Sequence, residues 1–400
     1  MTTFALNYKI GGLKPFSYHI INFIIHLSNA ILVYWLVMLT LKTVSVNSVS
    51  EQYQQTVSVN SVSKTVSVTR DSGSKDKLTL KTDTSSCSPI HRFTYSPSLT
   101  AFLASALFAV HPIQTQAVTY VVQRAEILSS FFYLLSLVMF VKARAISSQQ
   151  SAVSKPEFGI TPSLTLPPRG GGMGGGAVAK SYMLYAASFL SAVLSMGSKE
   201  IAVTLPLVIL LYDFFFISNG SINALSKRWK IHLLFFLTLI PLMYFMGVSQ
   251  LKTFVLTEAV KSPPTSSVYS EVPLLSRYEY LLTQFRVVWT YIRLLIVPIN
   301  QNVDYNYPVS KDLLSPVSTL FGGVGIVILL LAAVFLFKKQ RLISFFIFWF
   351  FIVIAPTSSI AALPDVIFEH RVYLGSLGYF VIFAMGVFKV SDIIFKERKG

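Results

Sequence analysis

The chain has 400 residues, of which 53% are hydrophobic and only 12% charged, and its mean hydropathy is +0.61. Such a composition excludes an ordinary soluble domain, because several apolar runs approach the roughly 20 residues a helix needs to cross a bilayer. The formal charge of +16 does not mark a nucleic-acid surface, since the basic residues fall at the ends of apolar runs rather than along one stripe. The single cysteine, Cys87, excludes an internal disulfide. The start of the chain, from Met1 to Leu13, lacks the pattern of a cleavable signal peptide.

Taken in chain order, nine runs read as spans: Tyr18–Leu41, Leu99–Val110, Val122–Val141, Tyr182–Met196, Ile201–Phe216, Ile231–Val248, Leu320–Phe337, Ile343–Ala355 and Val372–Val390. The fold class expected is therefore all-α, a polytopic membrane helix bundle. Lys42, the pair Lys142 and Arg144, the group Lys227, Arg228 and Lys230, the group Lys338, Lys339 and Arg341, and the group Lys396, Arg398 and Lys399 mark cytoplasmic ends. These clusters share a side only if one further apolar stretch, Tyr278–Pro298, does not cross. Arg286 and Arg293 lie seven residues apart in it, two helical turns, which suits an interfacial or re-entrant helix with both arginines facing water or headgroups. The segments His111–Glu126, Gly197–Glu200, Gln250–Pro316 and Pro356–Arg371 then all emerge on the non-cytoplasmic side.

This pattern divides the chain into an outer-loop end with the first span (1–42), a low-complexity cytoplasmic insertion (43–97), two spans (98–144), a second insertion (145–179), three spans (180–249), an outer loop with the amphipathic helix (250–316), and three last spans (317–400). The first insertion repeats TVSVNSVS at Thr43–Ser50 and Thr56–Ser63 and reads as a disordered linker. The second contains PPRGGGMGGG at Pro167–Gly176, which lacks the Gly-Lys-Ser/Thr ending of a phosphate loop and reads as a flexible linker.

Charged groups near a bilayer are costly and tend to be functional. His111-Pro112 closes one run, and Gln123-Arg124-Ala125-Glu126 opens the next, with Gln123 and Glu126 on one helical face and Arg124 pointing elsewhere. Lys199 and Glu200 form a tight turn, with a lysine on the outer side against the charge trend and a carboxylate suited to a helix start. Asp304 sits among Asn302, Tyr305, Asn306 and Tyr307, a hydrogen-bonding and ring-stacking set that suits a carbohydrate. The densest set is Asp365 with Glu369, His370 and Arg371: carboxylates for acid–base work and a guanidinium for phosphate. No second histidine stands at ligand spacing, so His370 is not expected to hold a metal. Tyr212-Asp213, at the opposite end, reads as structural.

Five stretches carry a family resemblance: LNYKIGGLKPFSYHIINFIIHLSNAILVY, FAVHPIQTQAVTYVVQRAEILSSFFYLLSL, GSKEIAVTLPLVILLYD, LLTQFRVVWTYIRLLIVPINQNVDYNYP and IAPTSSIAALPDVIFEHRVYLGSLGYF. Together they resemble the membrane half of the transmembrane and tetratricopeptide-repeat glycosyltransferases, related to the protein O-mannosyltransferases. The last two stretches are specific, and the first three are shared more loosely with other sugar transferases of the GT-C class. The resemblance implies a GT-C-like bundle that moves a sugar from a polyprenyl-phosphate-linked donor to a protein or glycan hydroxyl on the outer face. It also implies that Met1 stands near the end of the large outer loop. The family's acidic pair, which includes its catalytic base, is therefore expected upstream of Met1, and its repeats beyond Gly400. No catalytic base is assigned within the chain. In that frame Arg124, Lys199 and Arg371 are candidates for phosphate, and Glu126, Asp304 and Glu369 for sugar or acceptor. His111, Glu200, Asp365 and His370 complete the candidate set. The expected partners are membrane lipid, the lipid-linked sugar and the acceptor, with no nucleic acid and no certain cofactor. A transporter or lipid flippase, and a non-catalytic remnant that binds lipid-linked sugar, are the rival readings. The insertions and the missing signal peptide lean the location toward a bacterial inner membrane.

Overall fold

A computed structural model describes residues 2–63, 96–153, 173–240, 275–359, 363 and 365–397, and the described residues contain helices and loops but no strand. Among the described residues six helices are long and apolar enough to cross a membrane: Pro15–Ser45 within a helix that runs to Ser63, Val121–Ser148, Gly176–Met196, Glu200–Ile217, Ser318–Leu336 and Ser376–Ile394. The chain is therefore an integral membrane protein by length and composition.

The nine runs read from the sequence thus reduce to six or seven spans among the described residues. Leu99–Val110 belongs to a pair, Pro97–Val110 and Pro112–Thr119, bent by 51° and counting as one further span if taken together. The bend falls where His111 turns extended and Pro112 offers no N–H to continue the helix. Arg341–Ile354 is only 14 residues, about 21 Å of helix against a hydrocarbon core of about 30 Å. It is buried by packing instead, with Phe345, Phe346, Trp349 and Val353 in the core. Of Ile231–Val248, the helix Trp229–Leu237 is described and 241–248 lie outside the described residues.

Two segments are more helical than their composition suggested. The helix from Pro15 continues past Lys42 to Ser63, into the stretch read as a disordered linker. No glycine or proline interrupts it, and a helix already nucleated by its apolar part propagates cheaply. Thr43 and Ser45 return their hydroxyls to the carbonyls of Leu39 and Leu41 at 2.9 Å. In the same way Arg124–Val153 passes Arg144, and Met173–Met196 begins inside the glycine-rich stretch.

The helices Arg124–Val153 and Met173–Met196 pack through serines seven residues apart. Ser136 and Ser188 exchange hydroxyl-to-carbonyl bonds of 2.8 and 2.7 Å, and Ser195 Oγ donates to the Ser129 carbonyl at 2.9 Å. Small polar residues let two backbones approach closely where lipid gives no hydrophobic drive between helices.

The helix Arg277–Ile296 starts at a capping box between Ser276 and Glu279. Tyr280, Gln284, Val287, Val288, Tyr291 and Leu295 are buried along one face, while Arg286 and Arg293 fall on the other. The opposed arginines account for the absence of this helix from the spans, in line with the spacing that set it apart. Arg286 donates to the Pro308 carbonyl at 3.0 Å, and exposed Arg293 to that of Ile299 at 3.0 Å.

Candidate functional site

Four segments far apart in sequence meet at one end of the bundle. Gln116 is the hub: its Oε1 accepts from the His370 backbone N–H at 2.8 Å and from the His370 ring Nδ1 at 3.0 Å, while its Nε2 donates to the Val303 carbonyl at 3.0 Å. Gln301 Nε2 donates to the Pro112 carbonyl at 3.1 Å and to Glu369 at 2.7 Å. Gln114 reaches Ser376 Oγ at 3.0 Å. The Gly197–Glu200 turn joins through Lys199, whose Nζ lies 2.7 Å from Glu126 Oε2 and 3.3 Å from Gln123 Oε1. The three-residue spacing of Gln123 and Glu126 thus presents both to one ammonium, as their shared face requires.

Two carboxylates of this end have contrasting environments. Glu369 is 2% exposed and well supplied with donors: the Asn302 backbone N–H at 2.9 Å, the Tyr305 hydroxyl and Gln301. Burial, and then the donated bond to Glu369 beside its charge, push the Tyr305 hydroxyl well above the ordinary phenol range. Glu126 is 1% exposed, is paired through Oε2 alone, and its Oε1 has no hydrogen-bond partner among the described residues.

Two basic side chains sit beside them. Arg371 is buried, and its guanidinium is cradled by the carbonyls of Asp365 at 2.9 Å and Val366 at 3.3 Å, by the Tyr280 hydroxyl at 3.4 Å and by the Phe368 ring. No carboxylate lies within ion-pair distance of it among the described residues. His370 stacks on Phe368 with ring centres 5.1 Å apart. Burial first, and then the positive charges of Lys199 and Arg371, pull its pKa down to about 3. At neutral pH His370 is an uncharged ring whose Nδ1–H is spent on Gln116.

The other candidates from the sequence stand apart. Arg124 is buried, but its guanidinium points away from Lys199 and is consumed by Asn22 Oδ1 at 2.8 Å, the Tyr18 carbonyl at 3.1 Å and the Thr3 carbonyl at 3.4 Å. His111 accepts from the Ile113 N–H through Nδ1 at 3.2 Å, so its Nε2 carries the proton donated to the Leu295 carbonyl at 3.1 Å. It closes a helix junction. Asp304 and Asp365 have exposed side chains, and Asp365 meets Arg371 through its backbone oxygen only. Glu200 is half-buried at the start of the 3-10 turn Glu200–Thr204. The base expected upstream of Met1 lies outside the described residues, which begin at Thr2, as does Met1 itself. Among the described residues no group of three or more His, Cys, Asp or Glu is placed to hold a metal ion.

Sequence reasoning missed the support beneath Arg371. Tyr280 donates its hydroxyl to the Thr357 carbonyl at 2.6 Å, Gln284 its amide to Val366 at 2.9 Å, and Tyr291 its hydroxyl to the Phe368 carbonyl at 3.0 Å. A signal existed: positions 280, 284 and 291 recur at helical spacing on the face opposite the two arginines. Gln116 and Gln301 gave no such signal, since a lone amide between two apolar runs is common.

No family model matches this chain. Curated proteins do. Over 141 residues the chain is 33% identical to "Protein O-mannosyl-transferase Tmtc3" of Drosophila melanogaster, covering 35% of this chain and 12% of that protein. It is 28% identical over 142 residues to human "Protein O-mannosyl-transferase TMTC3", 36% of this chain and 10% of the relative. Human "Protein O-mannosyl-transferase TMTC2" matches at 27% over 140 residues, 35% and 10%. The curated homologues are thus the protein O-mannosyl-transferases that the quoted stretches resemble, and the likeness is to glycosyltransferases. The chain spans about a tenth of the length of these relatives. No solved structure matches.

Proposed function

We propose that this chain forms the membrane part of a GT-C-like glycosyltransferase that moves a mannosyl group from a polyprenyl-phosphate-linked donor to a protein hydroxyl. The observation that carries this reading is the meeting of Lys199, Glu126, His370 and Arg371 at one end of the bundle, with a cation lacking a carboxylate and a carboxylate with a spare oxygen. The basic clusters at Lys142, Lys227 to Lys230 and Lys338 to Arg341 support a non-cytoplasmic position for the site by the positive-inside rule. The likeness to mannosyl-transferases supplies the reaction class.

The chemistry is an inverting displacement. A base outside the described residues takes the proton of the acceptor hydroxyl. The freed oxygen pair attacks the anomeric carbon, and the bond to the lipid phosphate breaks with its electrons on the phosphate oxygen. Lys199 and Arg371 are the groups placed to hold that negative charge as it develops, which in such reactions is a large contribution. Arg124 leaves this role, because it stands apart with Thr3, Tyr18, Asn22 and the Phe4 ring, whereas the charges of Lys199 and Arg371 both act on His370. Glu126 Oε1 is free to accept from a sugar or acceptor hydroxyl, and neutral His370 adds no competing charge. The animal origin of the relatives favours a eukaryotic membrane over the bacterial one.

The test is mannosyl transfer by the full-length protein in membranes, with a lipid-phosphate-linked mannose donor. Arg371→Ala and Glu126→Ala each lower transfer at least tenfold, about 1.4 kcal/mol. Wild-type rates in both variants defeat the site. Lipid or solute movement across liposomes without any transfer favours a transporter, and donor binding without turnover a non-catalytic binder.

A further inference from the structure

Asp213 is bonded by Ser218, Arg228 and His232, and this cluster leaves one atom over. His232 is 5% exposed and meets Asp213 through Nε2, but its Nδ1 has no hydrogen-bond partner among the described residues. Its ring packs against Phe140 with centres 6.4 Å apart, and Phe140 also meets Tyr185 at 6.1 Å. One turn beyond Phe140 on the same helix, Arg144 donates from Nη1 to the Tyr185 hydroxyl at 3.4 Å. Among the described residues the buried Nε of Arg144 has no partner, and no carboxylate lies within ion-pair distance of its guanidinium. The helices Arg124–Val153, Met173–Met196 and Trp229–Leu237 thus bring two orphaned nitrogens and an unpaired guanidinium around one phenylalanine.

What is unpaired defines the partner. A buried N–H without an acceptor costs about 1–3 kcal/mol, and a planar guanidinium matches the oxygens of a phosphate. About 27 Å of helix separates Glu126 from Arg144, close to the hydrocarbon thickness of about 30 Å. With Glu126 at one face of the bilayer, Arg144 stands at the headgroup layer of the other. The surroundings fit that layer: Lys142 sits 4.6 Å over the Trp35 ring, and Trp229 is 57% exposed, with exposed Lys227 and Lys230 beside it in sequence. Tyr182, one turn from Tyr185, is 70% exposed, as a lipid-facing side chain of a span is. An anion at that depth, beside a lipid-facing helix and among basic side chains, is the phosphate of a lipid.

We infer that Arg144, Tyr185 and His232 form a site for the phosphate of an anionic lipid, at the far end of the span from Glu126. Arg144 Nε–H and a protonated Nδ1 of His232 donate to the phosphate oxygens, and Asp213 on the other ring nitrogen balances the imidazolium. The inference stands independently of the transferase reading, since it uses none of Glu126, Lys199 and Arg371.

The test is native mass spectrometry of the full chain released from detergent, titrated with phosphatidylglycerol or with phosphatidylcholine of the same acyl chains. The wild type should hold one phosphatidylglycerol at least about tenfold more tightly than phosphatidylcholine. Arg144→Gln should erase that preference. His232→Gln places an amide where Nε2 meets Asp213 but leaves no group at Nδ1, and should lower the preference at least about threefold. Lys230→Gln removes a charge nearby and should leave it within about twofold. Melting temperatures without lipid are measured alongside; if Arg144→Gln does not fold, Tyr185→Phe keeps the ring on Phe140 and should also lower the preference. No preference in the wild type overturns the inference, as does full preference in Arg144→Gln. Equal losses in the Arg144, His232 and Lys230 variants mean a diffuse basic surface and overturn it too. Inorganic phosphate that binds the wild type more tightly than phosphatidylglycerol, and fails to bind Arg144→Gln, assigns the site to a free anion and defeats the lipid.

Discussion

The two ends of this bundle each bury a carboxylate against a cation, and they do so in opposite ways. At the end with the basic clusters, Asp213 is 0% exposed and saturated: Ser218 donates at 2.7 Å, Arg228 donates to both oxygens, and His232 stands at 3.1 Å. All of these partners come from one short stretch, Asp213–His232, folded on itself through the π-turn Asp213–Ile217. Tyr212 adds a bond to Thr40 at 3.0 Å. At the other end, Glu126 keeps one oxygen unpaired and Arg371 lacks a carboxylate. Glu126 is met by Lys199 from a distant turn, and Arg371 by Tyr280 from the helix Arg277–Ile296 as well as by the nearby Asp365, Val366 and Phe368. A carboxylate saturated by local partners holds a fold together. An unsaturated one met from distant elements keeps capacity for a ligand, because a buried polar group without a partner is otherwise costly.

That contrast can be broken by substitution. Asp213→Ala leaves Arg228 facing a buried void, and thermal unfolding in detergent should show a loss of about 3 kcal/mol, with transfer per folded molecule unchanged. A large activity loss at full stability would make the basic end part of the site.

The pH dependence should come from the other end. His370 has a folded pKa near 3 against about 6.5 unfolded, so the unfolded chain takes up a proton first as pH falls. Stability is whole above pH 6.5 and is lost progressively down to about pH 3. By pH 5 the loss is about 2 kcal/mol, and His370→Gln should flatten that slope between pH 7.5 and 5. An unchanged slope means the ring is already charged in the folded protein.

Lys199→Met should lower transfer at least tenfold, about 1.4 kcal/mol, while costing less stability than Asp213→Ala. Equal costs in stability would erase the distinction between the two ends. The smallest effect belongs to Asp365→Asn, which keeps the backbone oxygen that Arg371 uses; stability should move by less than about 0.5 kcal/mol. A severe loss of transfer there would show that the exposed carboxylate itself acts.

Some of the site was legible because it lies in local patterns. Gln123 and Glu126 share a face by helical spacing, and both meet Lys199. Arg286 and Arg293, two turns apart, share the outer face of their helix. What failed to show was the fate of each charge. Arg124, Lys199 and Arg371 read alike as arginine or lysine beside an apolar run, yet Arg124 is held by Asn22, Thr3 and Tyr18, while Lys199 and Arg371 come together beside His370. Which donors are already satisfied depends on residues a hundred or more positions away.

The sequence by itself determined that this is a membrane helix bundle, that one stretch with opposed arginines differs from the spans, and that its unusual polar residues lie between apolar runs. Those features follow from length, periodicity and the cost of charge in hydrocarbon, all of which act over a few turns of chain. The tertiary structure alone decided which apolar runs form long helices among the described residues, the bend at His111-Pro112, and the choice of Gln116 as the hub joining Val303 and His370. Those depend on packing between distant segments, where a buried polar group must find its partner wherever the fold brings one.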